Sequence, residues 1–212
     1  MATGQRKSPT AVGFLTVLDH SQHGLMGGYL VLNTTGRPLE FHCTAPLKPN
    51  RAQQILYGPT LEPYLYGEQI GHALVSKSSL APLVIFTDRP PALAVRTMVD
   101  VPLALVLLPN NSPAEQNQPD DRHNSDLSSP RSADTNAADY RIDAAHEPSM
   151  AAGGAPFPLF MFGRNRLSVS PDRDSDRAMI QERLAELSES FDLAEPFDRI
   201  REAIEEAQRV GR

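Results

Sequence analysis

A chain of 212 residues, 40% of them hydrophobic, can build one large domain or one domain with appendages. Its net charge of −6, with no Trp and no basic stripe, argues against electrostatic capture by nucleic acid or an acidic membrane surface. One cysteine cannot form an internal disulfide, and no apolar run is long enough for a signal peptide or a bilayer span, so the expected compartment is the cytoplasm.

Residues 1–10 carry no periodic pattern and are expected to be unstructured. Phe14 to Leu18 is a short apolar run and reads as a buried strand that ends at Asp19. After a loop rich in turn formers comes GGYLVLNTTGRPLEFHCT, residues 27–44, which reads as a β-hairpin. Asn33 can open its turn, and Gly36 can take the left-handed position that closes it. On the returning strand Leu39, Phe41 and Cys43 alternate with Glu40, His42 and Thr44, which predicts that the first set faces a core. Cys43 is then a small buried hydrophobe, not a nucleophile beside His42.

Asn50 is placed to cap a short helix over 51–57, and Gly58-Pro59 must end it. A second helix is expected from Leu61 to about Lys77, with Pro63 tolerated in its first turn. Gly67 and Gly71, one turn apart, give that helix a flat stripe for close packing. Leu83 to Phe86 and Pro102 to Leu108 read as strands buried on both faces, and the short helical pattern between them suits a parallel crossover. The expected fold is therefore α/β (α+β): a mixed sheet with an N-terminal antiparallel hairpin and element order βββαβαβ, over 11–109.

Beyond Pro109 the composition shifts. Residues 110–156 are mostly Asn, Ser, Asp, Pro, Ala and Gln and cannot bury enough surface to offset their ordering entropy, so a disordered polar linker is expected. Acidic residues concentrate in this half: 1–110 carry +2 and 111–212 carry −8. Residues 157–212 then supply an apolar segment with Phe157, Leu159, Phe160 and Phe162, followed by two amphipathic helices forming an αα-hairpin. The first presents Ile180, Leu184, Leu187 and Phe191, the second Phe197, Ile200, Ile204 and Ala207. Asp192 with Glu195 has the pattern of a capping box. This tail must dock, on its own domain or on a second chain, while the 11–109 domain is expected to stand alone as a stable fragment.

Two constellations have chemical potential. His23, Glu40 and His42, with Asp19 and His20 nearby, are ligand types suited to zinc or a similar ion, although their spacing matches no ligand signature. The second is a set of carboxylates. Three antiparallel strands, a helix, then strand, helix, strand across residues 13–108 resembles the ribonuclease H-like fold, including its endonuclease V-like members. That resemblance implies a metal-dependent nuclease in which Asp19, Glu62 or Glu68, and Asp88 hold two divalent ions for phosphodiester cleavage. The plainer reading makes Asp19 a strand-end turn residue and Asp88 a helix N-cap before Arg89-Pro90-Pro91.

Antiparallel sheets followed by a long helix also occur in binding scaffolds such as profilin-like and longin-like modules, and a docking tail suits that class. No phosphate loop, nucleotide fingerprint or Ser/His/Asp elbow is present. The favoured expectation is a non-catalytic interaction module with a protein partner, itself or another, and no cofactor. The metal-dependent nuclease is the alternative.

Overall fold

The computed structural model describes residues 10–21, 23–108, 158–185, 187 and 191–210. The expectations for residues 1–9, for the 110–156 segment and for Phe157 lie outside these. Seven strands form one mixed sheet in the order β3-β2-β1-β4-β5-β7-β6. The first three, β1 (Ala11–His20), β2 (Gly24–Asn33) and β3 (Pro38–Cys43), are an antiparallel meander. The hairpin turn forms as its residues require: Gly36 has φ +79°, and Asn33 Oδ1 accepts from Thr35 N at 3.0 Å and Arg37 N at 2.8 Å. Strands β4 (Ile85–Thr87) and β5 (Leu103–Val106) run parallel to β1, joined by a 3₁₀ helix over Pro90–Thr97.

Helix α1 (Arg51–Tyr57) carries a full capping box between Asn50 and Gln53. The long helix is present but not uniform: α2 (Leu61–Pro63), a π-helical stretch (Tyr64–Gly71) and α3 (His72–Val75) follow one another. Gly67 lets the π-helical stretch approach the 3₁₀ helix, where an added Cβ would lie 2.6 Å from Ala94 Cβ. Gly71 lies against Leu15 of β1. The glycine stripe thus meets a helix as much as the sheet.

The tail contributes more than the two expected helices. Leu159–Phe162 and Asn165–Ser168 form the hairpin strands β6 and β7, and β7 pairs antiparallel with β5. The apolar run is therefore a sheet edge. Helix α4 (Asp174–Leu184) packs over β5, and α5 (Glu195–Val210) packs over β1 and β2. Leu187 and Phe191 follow α4 instead of lying on it, yet Leu187 is buried. Asp192 is not the cap expected for α5: its Oδ1 accepts from Ala194 N at 2.9 Å in the turn before the helix, and Arg164 pairs with it at 2.8 Å.

Each sheet face has its own core. On one, Phe14, Met26, Leu30, Phe86 and Val106 meet Phe160, Leu167, Ile180, Leu184, Phe197, Ile200 and Ile204 from the tail. On the other, Leu15, Tyr29 and Val31 meet Leu65, Ile70, Leu74, Leu93 and Val95. Gly27 and Gly28 on β2 point to opposite faces, and a Cβ on either would collide with Ile70 or Ile200 respectively. Among the described residues no helix is long and apolar enough to cross a membrane.

Polar contacts also join the tail to the first half, among them two from or to helix α4. Arg96 on the 3₁₀ helix makes a bidentate pair with the fully buried Asp176 of α4, at 2.6 and 3.0 Å. Arg183 of α4 donates to Leu83 O at 2.8 Å.

The 11–109 segment consequently has one face of its sheet uncovered without the tail, and the expectation that it stands alone is tested by removing that cover. Each buried tail side chain is worth roughly 1.5–3 kcal/mol, and seven of them together reach roughly 10–21 kcal/mol, comparable to or above the ~5–15 kcal/mol that holds a typical domain together. Deleting residues 158–212 should abolish cooperative thermal unfolding. A truncated protein that melts within a few degrees of the full chain would refute this covering role.

Candidate functional site

Strands β1 and β4 are parallel and end at the same edge of the sheet, the side on which open α/β sheets bind ligands. This edge holds Asp19 and His20 at the end of β1 and Asp88 and Arg89 after β4. Their heights differ. Leu15 is level with Thr87, so the residue level with Asp88 is Thr16, and Asp19 lies three residues, roughly 10 Å, further on. Thr16 is fully buried.

Asp88 is buried as well, and Arg201 of α5 pairs with it through Nη2 and with Asp198 through Nη1 at 2.5 Å. Asp88 is therefore not a helix N-cap: Arg89 occupies that position and no side chain caps the 3₁₀ helix. Glu62 and Glu68 are exposed on the helical run. Tyr66 registers Asp19 and Glu62 electrostatically, since burial first and then both carboxylates raise its phenol above the ordinary value. The four expected carboxylates do not converge: among the described residues no three His, Cys, Asp or Glu side chains form a group able to hold an ion.

The same holds for His23, Glu40 and His42. His23 lies beside His20, with Nδ1 atoms 3.1 Å apart, while Glu40 and His42 pair at 3.3 Å on β3. Glu40 is instead a structural anchor. It accepts from Ser78 Oγ at 2.7 Å, from Ser79 Oγ, and from Ser79 N at 3.1 Å, fastening the loop after α3 to the edge strand. These hydroxyl donors, with His42, outweigh the cost of desolvation and hold its carboxyl down at about 2.

That anchoring face reverses the expected alternation. Glu40 and His42 are half-buried under the 78–79 loop, whereas Phe41 and Cys43 are exposed, because α5 covers β1 and β2 and stops short of β3. A bulge between Val31 and Leu32 shifts the register, and Leu39 packs into the opposite core from the one facing Phe41. Cys43 is an exposed thiol.

What the carboxyl edge does hold is a cavity of about 430 Å³. Its walls are Leu18, Asp19 and His20 of β1, Met26 of β2, and Arg89. Helix α5 closes it with Arg201, Glu205, Gln208 and Arg209. Periodicity had assigned α5 only a docking role. Its Arg201 lies on the flank of the stripe formed by Ile200 and Ile204, where a charged residue of an amphipathic helix ordinarily reads as solvated.

Of the tail residues proposed for interaction, Phe160, Leu184, Leu187, Phe197, Ile200 and Ile204 are buried on the chain's own sheet. Phe162 is half-buried, and Leu159 is 52% exposed on the edge strand.

No protein-family model matches the chain. No curated protein matches it either. A solved structure of a Ciona intestinalis endonuclease V variant, in complex with a 23mer DNA containing an inosine followed by a ribo-adenosine, is similar over 46% of this chain and 45% of that one, at 15% identity and a TM-score of 0.31. The match thus spans less than half of that protein, and a likeness at this level carries no argument about activity.

Glu40 generates a pH prediction. Its carboxyl is depressed in the folded protein, so its contribution is complete above the ordinary value of 4.5 and is lost as pH falls toward about 2. The stability difference between wild type and Glu40→Gln, read from urea midpoints, should be constant from neutral pH down to about 4.5 and shrink below it. A difference independent of pH across that window would refute the anchor.

Proposed function

We propose that the protein is a non-catalytic binding module. The observation that carries this reading is Asp88: the buried acid at the end of β4 is neutralised by Arg201 and is not presented to a metal ion. The register adds to it, because Thr16 occupies the height on β1 at which a partner carboxylate would bridge to Asp88. The alternative, a metal-dependent nuclease with a nucleic-acid partner, would have to recruit Asp19 from roughly 10 Å along the strand and displace a guanidinium. The cytoplasm remains the proposed compartment, on the strength of the single cysteine.

A protein partner is supported by apolar surface left uncovered. Helix α1 buries none of its residues and exposes Ile55 and Leu56, at 66% and 81%. A seven-residue helix has little stability of its own, so such side chains are placed at a cost that contact with another chain would offset.

A divalent-metal titration separates the two classes. Magnesium or manganese should leave the melting temperature of wild type and of Asp19→Asn alike unchanged; a rise in wild type that the mutant loses would overturn the non-catalytic reading. The partner is tested in its simplest form, a second copy of this chain. Sedimentation velocity should show concentration-dependent association that Leu56→Asp weakens, and a monomer at every concentration would remove self-association from the reading.

A further inference from the structure

We propose that the cavity at the carboxyl end of β1 and β4 binds a small organic oxyanion, a phosphate monoester or a carboxylate, with Arg89 as its principal contact. This goes beyond a protein partner and shares with the proposed function only the premise that Arg201 already neutralises Asp88. The cavity, at about 430 Å³, is within the range of small-molecule sites and larger than a bare ion needs.

Arg89 is the observation that points to a ligand. Among the described residues its side chain makes no hydrogen bond or ion pair, and its Nε is fully buried without a partner. The enclosed Nε offers a ligand no surface, but the rest of the guanidinium is not enclosed: Arg89 is partly exposed on the cavity wall, and its terminal nitrogens meet an incoming acceptor. The other two arginines on the wall are engaged: Arg201 with Asp88 and Asp198, Arg209 with Glu206 at 3.4 Å. Arg89 is thus the uncommitted cation. Its planar fork matches the paired oxygens of a phosphate or carboxylate.

Its backbone is fixed before any ligand binds. Arg89 N donates to Thr87 Oγ1 at 3.2 Å, and Pro90 and Pro91 follow immediately. Little ordering remains to oppose binding.

The rest of the wall narrows the ligand. Asp19 and Glu205 are exposed carboxylates on the same cavity, and they would repel a bare dianion. They favour a molecule that offers hydroxyl or amine donors alongside its oxyanion. Leu18 and Met26 supply apolar surface for its carbon skeleton.

The test is calorimetry and thermal shift on the full chain with inorganic phosphate, glycerol 3-phosphate and acetate, each against sodium chloride at matched ionic strength. Saturable binding of glycerol 3-phosphate is expected, roughly ten-fold or more tighter than that of inorganic phosphate. Acetate against inorganic phosphate identifies the preferred oxyanion, and failure of all three compounds to bind overturns the proposal. Arg89→Gln should weaken binding by roughly ten-fold or more while melting no lower than wild type, since it removes a cation whose Nε is buried without a partner. Arg89→Lys keeps the charge but not the fork and should weaken binding to a smaller extent, which provides a readout if the glutamine variant does not fold.

Equal responses in wild type and both variants, or a response that sodium chloride reproduces, would overturn the assignment. Equal affinity for inorganic phosphate and glycerol 3-phosphate would overturn the organic ligand. A metal response lost in Asp19→Asn would sink the non-catalytic reading while leaving this comparison of Arg89 variants to stand or fall by itself.

Discussion

Phe14 is the point on which the two halves of the chain close. Its ring lies 5.3 Å from Phe86 on β4, 5.6 Å from Phe197 on α5 and 6.3 Å from Phe191 in the segment between the tail helices. One aromatic on β1 thus contacts the neighbouring strand and two parts of the tail at once. Aromatic pairs at these separations add modestly to the burial term, and burial dominates. Residues more than a hundred positions apart form one core because the sheet face around Phe14 has no other cover. The N-terminal strands and the tail belong to the same compact unit for that reason.

Covering that face also shapes the edge of the sheet. Helix α5 can reach β1 and β2 only because Gly28 leaves room for Ile200 and Ile204, and Gly27 does the same on the opposite face for Ile70 and Leu74. Once α5 is seated, its Arg201 reaches Asp88 and its Glu205 and Arg209 complete the wall above Asp19. The packing that stabilises the domain and the charges that define the cavity therefore come from one helix, on two of its faces. A buried carboxylate such as Asp88 requires a cation or a proton. Here the chain supplies the cation itself.

The parallel pairing of β1 with β4 governs what this edge can do. Strands advance about 3.3 Å per residue, so a shift of three positions separates groups that sequence order alone sets side by side. Asp19 and Asp88 each end a strand, yet β1 runs on past the level at which β4 stops. The result is a cavity walled by Asp19 and Glu205, with Asp88 paired to Arg201 and an uncommitted Arg89 on the wall.

Local chemistry was legible from the chain by itself. The Asn33–Gly36 turn, the Asn50 cap, the parallel pair separated by a short helical segment and the apolar stripe of α5 all depend on neighbours a few residues away. Long-range partners were not legible. PFPLFMF reads as an unpartnered apolar run because nothing in sequence announces that Leu159–Phe162 pairs with Asn165–Ser168 and so reaches β5. The burial of Cys43 was misjudged because alternation assigns residues to two faces but does not say which face a helix will cover. The candidate site divides the same way. Residue types at strand ends were visible, whereas the register that parts Asp19 from Asp88, and the arrival of Arg201 from 113 residues away, exist only once the sheet is paired and α5 is packed on it.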